Sequence, residues 1–471
     1  MKSFFIVLCI LAMAARFIRP GHRKSKKNNH DQPYAWLVLS CLTGLMLFIT
    51  NNLFVLVFLW GVSLIPMYMF VNAGYARGAD LAKKLLILFG SAHGLMITGS
   101  VLLVYQSGSA LISELAIDTR SGIGVIGLYA MLLGGLVKIS AFPFHSWLPA
   151  FMRSSDDEFH MTTPITTEFI TGAYLLMIMT KATTHAPQAY SMALVLLAFV
   201  TILLCGQLAI SERKAEARLS YGVSLTGALM VLGIASGTRA GLTAAMIMLI
   251  VAVMAPLLIV LLFHGIKPQS QRTAVTQRQA NSMTGALTIL AFVALGVFAA
   301  AVFSGLLFLA QAGVSLSAGM HTYPWFWVLF AVAAFAGSAF FWALAAINIK
   351  SFNVFGRLSE VLQRRPAPFS WQEALFLLLT VLSSLALFLM AIVASPEISK
   401  WPATEPGFLK ARALLIPLAI TLISMTAGYF LAEFPQGKAR KWFNRIIQLQ
   451  NLGYFDVYYL GKKLIFAVNK P

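Results

Sequence analysis

Apolar stretches of about 20 residues, the length that crosses a lipid bilayer as a helix, succeed one another along almost the whole chain. In hydrocarbon every backbone N–H and C=O must be satisfied within the segment, so stretches like these fold as helices. A window of that length gives about thirteen spans, near 1–18, 33–49, 52–72, 82–105, 122–150, 161–180, 188–210, 219–236, 240–265, 283–312, 323–348, 371–394 and 412–432. Charged residues make up only 11% of the 471 positions, where a soluble domain carries about 25%. The expected fold is therefore an all-α polytopic membrane bundle over residues 1–432. A basic and aromatic segment, 433–471, comes after it and suits an amphipathic helix lying in the headgroup region.

The loops check this count independently. The formal net charge of +19 is concentrated in alternate loops: 19–30, 73–84, 211–218, 266–279, 349–366 and 435–446. The loops between them carry little positive excess, except that 395–411 is mixed, with Glu397, Glu405, Lys400, Lys410 and Arg412 in or near it. With Lys and Arg held on the cytoplasmic side, an odd number of spans places the N-terminus outside and the C-terminus inside. Arg16, Arg19, Arg23 and Lys24 come after the first apolar stretch, the reverse of a cleaved signal, so 1–18 reads as a retained helix. No basic face alternates with exposed aromatics, and nucleic acid is not an expected partner. Cys9, Cys41 and Cys205 lie in apolar runs without metal-ligand spacing. No loop is long enough for a soluble core, and no phosphate-binding or zinc motif occurs. No cofactor is expected, and any redox chemistry belongs to partner subunits.

Ionisable residues at membrane depth are costly and mark functional sites by default. Lys138 is the foremost of them, lying mid-span in LLGGLVKISAFPFHSWLP. Pro143 is expected to break the helix just beyond it, leaving free carbonyls of the kind that line ion sites in transporters. His145, past the break, reads equally as a proton relay or as an interface residue. Glu168 lies on a hydroxyl-rich helix with Thr163, Thr167 and Thr171 at intervals of four. That face either lines water or makes helix–helix hydrogen bonds. His93, among small residues, reads as a packing histidine or an ion-path group. Asp156, Asp157, Glu158 and His160 read as a solvated loop, and Arg213, Lys214, Glu216 and Arg218 as an anchor for another.

LLGGLVKISAFPFHSWLP resembles the signature of the antiporter-like, proton-translocating subunits of respiratory complex I, a family shared with multisubunit sodium/proton antiporters and membrane-bound hydrogenases. Lys138 matches the family's central channel lysine, and Pro143, His145, Trp147, Leu148 and Pro149 match the motif residues on its C-terminal side. FVLVFLWGVSLIPMYMFV, FITGAYLL, RLSYGVSLTG and FSGLLFL resemble further family segments, and YFDVYYLGKKLIF resembles the end of the largest of these subunits. The resemblance implies an inverted-repeat bundle with two broken helices, at Pro143 and at Gly305, working inside a larger complex.

The chain departs from the pattern at its charged positions. Gly61 stands where the family has the glutamate that pairs with the first lysine, and Gly305 stands where it has a further lysine. The second channel position falls near Pro164, Phe169 or Ile170. About two N-terminal helices of the family pattern lack a counterpart. Without the carboxylate at position 61, Lys138 is expected to lose its partner, with Glu168 and His145 as the candidates to replace part of what is lost. Two functions are therefore expected as alternatives. One is an ion-translocating subunit of a multisubunit complex in the cell inner membrane, with Lys138 central. The other is a scaffold that has kept the fold and lost the channel, anchoring a redox module or an inorganic-carbon uptake protein.

Overall fold

The computed structural model describes residues 2–17, 31–74, 78–154, 163–185, 188–212, 214–265, 301–313, 324–351 and 411–433, with isolated positions between 445 and 458. The expected span 371–394, most of 283–312 and of the segment 433–471, and the acidic loop with His160 lie outside them. The helices are α1 Lys2–Phe17, α2 Asp31–Ile49, α3 Leu53–Gly74, α4 Gly78–Ser107, α5 Gly122–Lys138 and α6 Trp147–Ser154. A π-helical turn, Ile165–Phe169, leads into α7 Ile170–Ala182. Then come α8 Gln188–Ser211, α9 Ala215–Ser236, α10 Arg239–Gly265, α11 Ala301–Gly313, α12 Pro324–Ser351 and α13 Ala411–Glu433.

Among the described residues seven helices are long and apolar enough to cross a membrane, and three shorter apolar helices accompany them. Helices apolar all round must be buried in protein or in lipid, and both cases occur here. The apolar windows of α9 and α10 are 94% buried, so these two form the centre. Helices α3, α4, α12 and α13 instead turn large apolar side chains outward, among them Phe58, Ile65, Ile87, Trp325 and Leu415. These faces suit lipid or a neighbouring subunit.

One row of contacts runs α2–α3–α4–α5–α7, and a second runs α13–α12–α8–α9–α10. Helix α1 touches α2, α7 and α10. Its Phe5 ring lies 5.0 Å from Tyr174 of α7, which in turn lies 4.9 Å from Phe48 of α2 in an edge-on arrangement. At one end a short parallel strand pair joins Ile117–Asp118, just before α5, to Thr183–His185, just after α7. These two helices also cross closely through small residues. A β-carbon at Gly172 would stand 2.8 Å from the Gly135 carbonyl oxygen and 2.8 Å from Lys138 Cβ.

Candidate functional site

The local fold at Lys138 is a helix end. Helix α5 stops at Lys138, and the next helix begins at Trp147. Ser140 takes a left-handed conformation, φ 59°. The Ser140 N–H donates to the Val137 carbonyl, and the Ala141 N–H reaches back to the Leu136 carbonyl. This pair of bonds is a Schellman termination with serine in place of the usual glycine. The helix is therefore terminated by Ser140, just past its last residue and ahead of Pro143, which lies within the non-helical connection, its peptide bond to Phe142 cis. Trp147 Nε1 donates to the Val137 carbonyl at 2.8 Å and closes the break. Lys138 thus occupies the last turn of a helix, where the macrodipole favours a cation.

Glu168 sits in the complementary place. Thr163 and Pro164 open its helix, with proline in the first turn, where a missing N–H costs nothing. The π-helical turn Ile165–Phe169 comes next, and Glu168 belongs to it. An inserted residue of this kind rotates the side chains beyond it relative to a regular α-helix. Thr166 and Thr167 both donate to the Thr163 carbonyl, and Thr171 to that of Glu168. An anion in the first turns of a helix is again favoured by the dipole.

The two helix ends bring the charges together. Lys138 Nζ lies 2.7 Å from Glu168 Oε2, and both side chains are almost wholly buried, at 1% and 2% exposure. The ammonium also donates to Ser63 Oγ at 3.2 Å and to Thr171 Oγ1 at 3.4 Å. It stands over the Trp60 ring, 3.9 Å from its centre. Desolvating each of the two ions costs several kcal/mol even after relaxation. The paired charge, two hydroxyls and one aromatic face offset that cost here. Lys138 therefore has a carboxylate partner despite Gly61; the expectation that it loses one is corrected, because the π-turn swings Glu168 into its reach.

The remaining predicted residues fall around this centre. His145 is fully buried beyond the break, stacked on Phe142 with ring centroids 6.1 Å apart. Its carbonyl accepts from Ser140 Oγ, which accepts in turn from Ser224 of α9. The neighbouring Ser146 hydroxyl accepts from the buried Lys84 of α4 at 2.9 Å. Thr167 is buried, but its hydroxyl is committed to a backbone carbonyl; Thr171 is the threonine that reaches the lysine. His93 of α4 packs against Gly61. Gly305 lies inside α11 with helix on both sides, because a lone glycine does not end a helix that packs closely. A β-carbon there would stand 2.6 Å from Met248 Cε. Ser63 and Lys84 are the contributors that sequence reasoning missed. Among the described residues no cluster of ligating side chains could hold a metal ion.

Residues 50–340 match the family model described as NADH:quinone oxidoreductase/Mrp antiporter, TM. Subunit N of the NADH-quinone oxidoreductase of Gemmatimonas aurantiaca is 27% identical over 256 residues, 52% of this chain and 48% of that protein. Chain 4 of the chloroplastic NAD(P)H-quinone oxidoreductase of Angiopteris evecta is 27% identical over 228 residues, 46% of this chain and 45% of that one. The chain thus spans about half the length of the curated relatives it matches. In three dimensions it resembles a chain of the Mrp complex of Dietzia sp. DQ12-45-1b, with a TM-score of 0.69 at 16% identity, over 100% of this chain and 52% of that one. A chain of respiratory complex I from Thermus thermophilus, with bound NADH, gives a TM-score of 0.56 at 16% identity, covering 89% and 83%. The family match takes in more than half of the sequence, Lys138 and its surroundings included: this membrane protein belongs to the NADH:quinone oxidoreductase/Mrp antiporter transmembrane family.

Proposed function

We propose that this chain is the cation-translocating membrane subunit of a larger complex in the cell inner membrane, and that the proton or cation passes at the Lys138–Glu168 pair. The observation that carries this reading is the burial of both charges at two facing helix ends. An ion pair is a costly way to hold helices together where an apolar contact would serve. A lysine in reach of a carboxylate, two hydroxyls and a helix break is equipped to take up and release a proton. Protonation of Glu168 or deprotonation of Lys138 would dissolve the attraction between the ends of α5 and the π-turn. That gives the site two electrostatic states, which alternate occupancy requires. The family relatives, which bear the names of subunits of quinone oxidoreductases, support a place beside other subunits. The loop charges support an N-terminus outside and a C-terminus in the cytoplasm.

The scaffold reading rests on a separate observation. Gly61 and Gly305 abut His93 and Met248, so two positions that carry charge in the family pattern carry none here. A chain that holds a redox module or an inorganic-carbon uptake protein would need the bundle and not the wire.

Ion flux separates the two. The complex containing this chain is reconstituted in vesicles, and lumenal pH and Na⁺ are monitored after energisation. Lys138→Met and Glu168→Gln are each expected to abolish the flux while the complex still assembles. Unchanged flux in both variants would leave the scaffold reading standing alone.

A further inference from the structure

Gly61 lacks a side chain, and an imidazole fills the space beside it. A β-carbon at Gly61 would stand 2.5 Å from His93 Nε2 and 2.8 Å from its Cε1. The ring therefore lies against the backbone of α3, where the neighbours Trp60 and Ser63 hold the Lys138 ammonium. The ionisable side chains on the elements packed around α4 are Tyr68 on α3, Tyr129 and Lys138 on α5, Arg153 on α6 and Asp118 in the first strand. Of these, Lys138 is the one held by Trp60 and Ser63, on the same stretch of α3 that the His93 ring lies against. His93 Nδ1 has no hydrogen-bond partner among the described residues, so a lone pair or an N–H remains uncommitted.

The position of the ring in the bundle adds a second point. His93 is half-buried. Gly90 and Ile97, about one turn to either side, lie on its face of α4. Gly90 has open space where a side chain would stand, and Ile97 is exposed. Lys138 is sealed in the interior, whereas His93 is half-buried on a helix face that carries exposed residues.

We propose that His93 is a second proton-exchange group of the Lys138 site, standing at the bundle edge in the space left by Gly61. The inference rests on the translocation reading. In the step, an N–H bond at Lys138 Nζ breaks and its electron pair stays on the neutral amine. The proton is taken by a lone pair of the imidazole, which becomes imidazolium; one N–H bond replaces another and the total charge is conserved. Like charges oppose each other, so a charged Lys138 disfavours a second proton on His93, and the two hold one proton between them. Glu168 stays behind as the anion that draws the next proton to Lys138.

The test uses the reconstituted complex and has two readouts. ¹⁵N-histidine NMR of the protein in detergent, with the His93 signal identified by its loss in His93→Gln, tracks the imidazole titration with and without Lys138→Met. The titration is expected to move when the lysine charge is removed; an identical titration in both overturns the proposal. In the flux assay His93→Gln is expected to slow proton transport by about tenfold or more and to flatten its pH profile below about pH 6.5. Wild-type rate and profile in His93→Gln, with flux abolished in Lys138→Met, sinks the histidine proposal and leaves the translocation reading intact. Unchanged flux in Lys138→Met defeats both. Gly61→Ala, which keeps the histidine and displaces its ring, is expected to slow flux in the same direction, and it is the variant read if His93→Gln does not assemble.

Discussion

The Lys138 ammonium stands 3.9 Å from the centre of the Trp60 ring, a cation–π contact made inside a membrane helix bundle rather than at a wet surface. Both residues are 1% exposed. Desolvated contacts of this kind contribute about 2 kcal/mol or more. Trp60→Leu is therefore expected to lower the unfolding free energy of the detergent-solubilised protein by about that amount, and Trp60→Phe, which keeps an aromatic face, by less. Equal losses in the two variants would show that the ring's bulk matters and its face does not.

The Lys138–Glu168 pair predicts a double-mutant cycle. Removing one member strands a buried charge, which costs about 3–5 kcal/mol. Glu168→Gln and Lys138→Met should each destabilise the fold on that scale, and the double variant should recover much of the loss. Chemical denaturation in mixed micelles measures all four corners. Simple additivity would mean that the two charges do not meet.

Close approach of α5 and α7 rests on glycine at a single crossing. A β-carbon at Gly172 would press on the Gly135 carbonyl and on Lys138 Cβ. Gly172→Ala is expected to cost about 1–3 kcal/mol as overpacking. Gly90→Ala is the matched control, because nothing lies within 4 Å of its would-be β-carbon, and helix propensity should make it neutral or stabilising by up to about 1 kcal/mol. Thermal scans of the two variants side by side decide the point.

Ser140 carries the helix stop in a conformation that side chains disfavour, by about 1–2 kcal/mol. It also donates to the His145 carbonyl and accepts from Ser224. Ser140→Gly relieves the backbone and loses those bonds, so it should be nearly neutral. Ser140→Val loses the bonds and adds β-branching, and is expected to be the less stable by at least about 1–2 kcal/mol. Reversal of that order in an unfolding assay would contradict a left-handed Ser140.

Much of this was legible in the residues. The apolar spans announced a membrane bundle, and the lysine in mid-span made Lys138 the candidate site, because charge in hydrocarbon has few uses. Glu168 was legible as a candidate to stand in for the missing carboxylate, but its contact with Lys138 was not. Glu168 lies in a separate helix, and the π-turn shifts the register that a period of 3.6 residues would assign to it. Nor was the true stop of α5: proline at 143 is a conspicuous breaker, while the left-handed serine that ends the helix first looks like any other serine. Gly61 suggested a vacancy, and only packing shows a histidine from the next helix lying against it. Gly305 suggested a break by analogy, but its neighbours Ile247 and Met248 make it a contact point in a continuous helix.

The short strand pair has a mechanical meaning. It ties the start of α5 to the end of α7, so these helices are two arms pinned at one extremity. The 17 residues of α5 put Lys138 about 25 Å from the pin, and the 13 residues of α7, about 20 Å long, put Glu168 just past that length on the other arm. The ionic contact is the tip of a pair of tweezers. The spacing of the two charges is instead held by the glycine crossing of the arms beside Lys138.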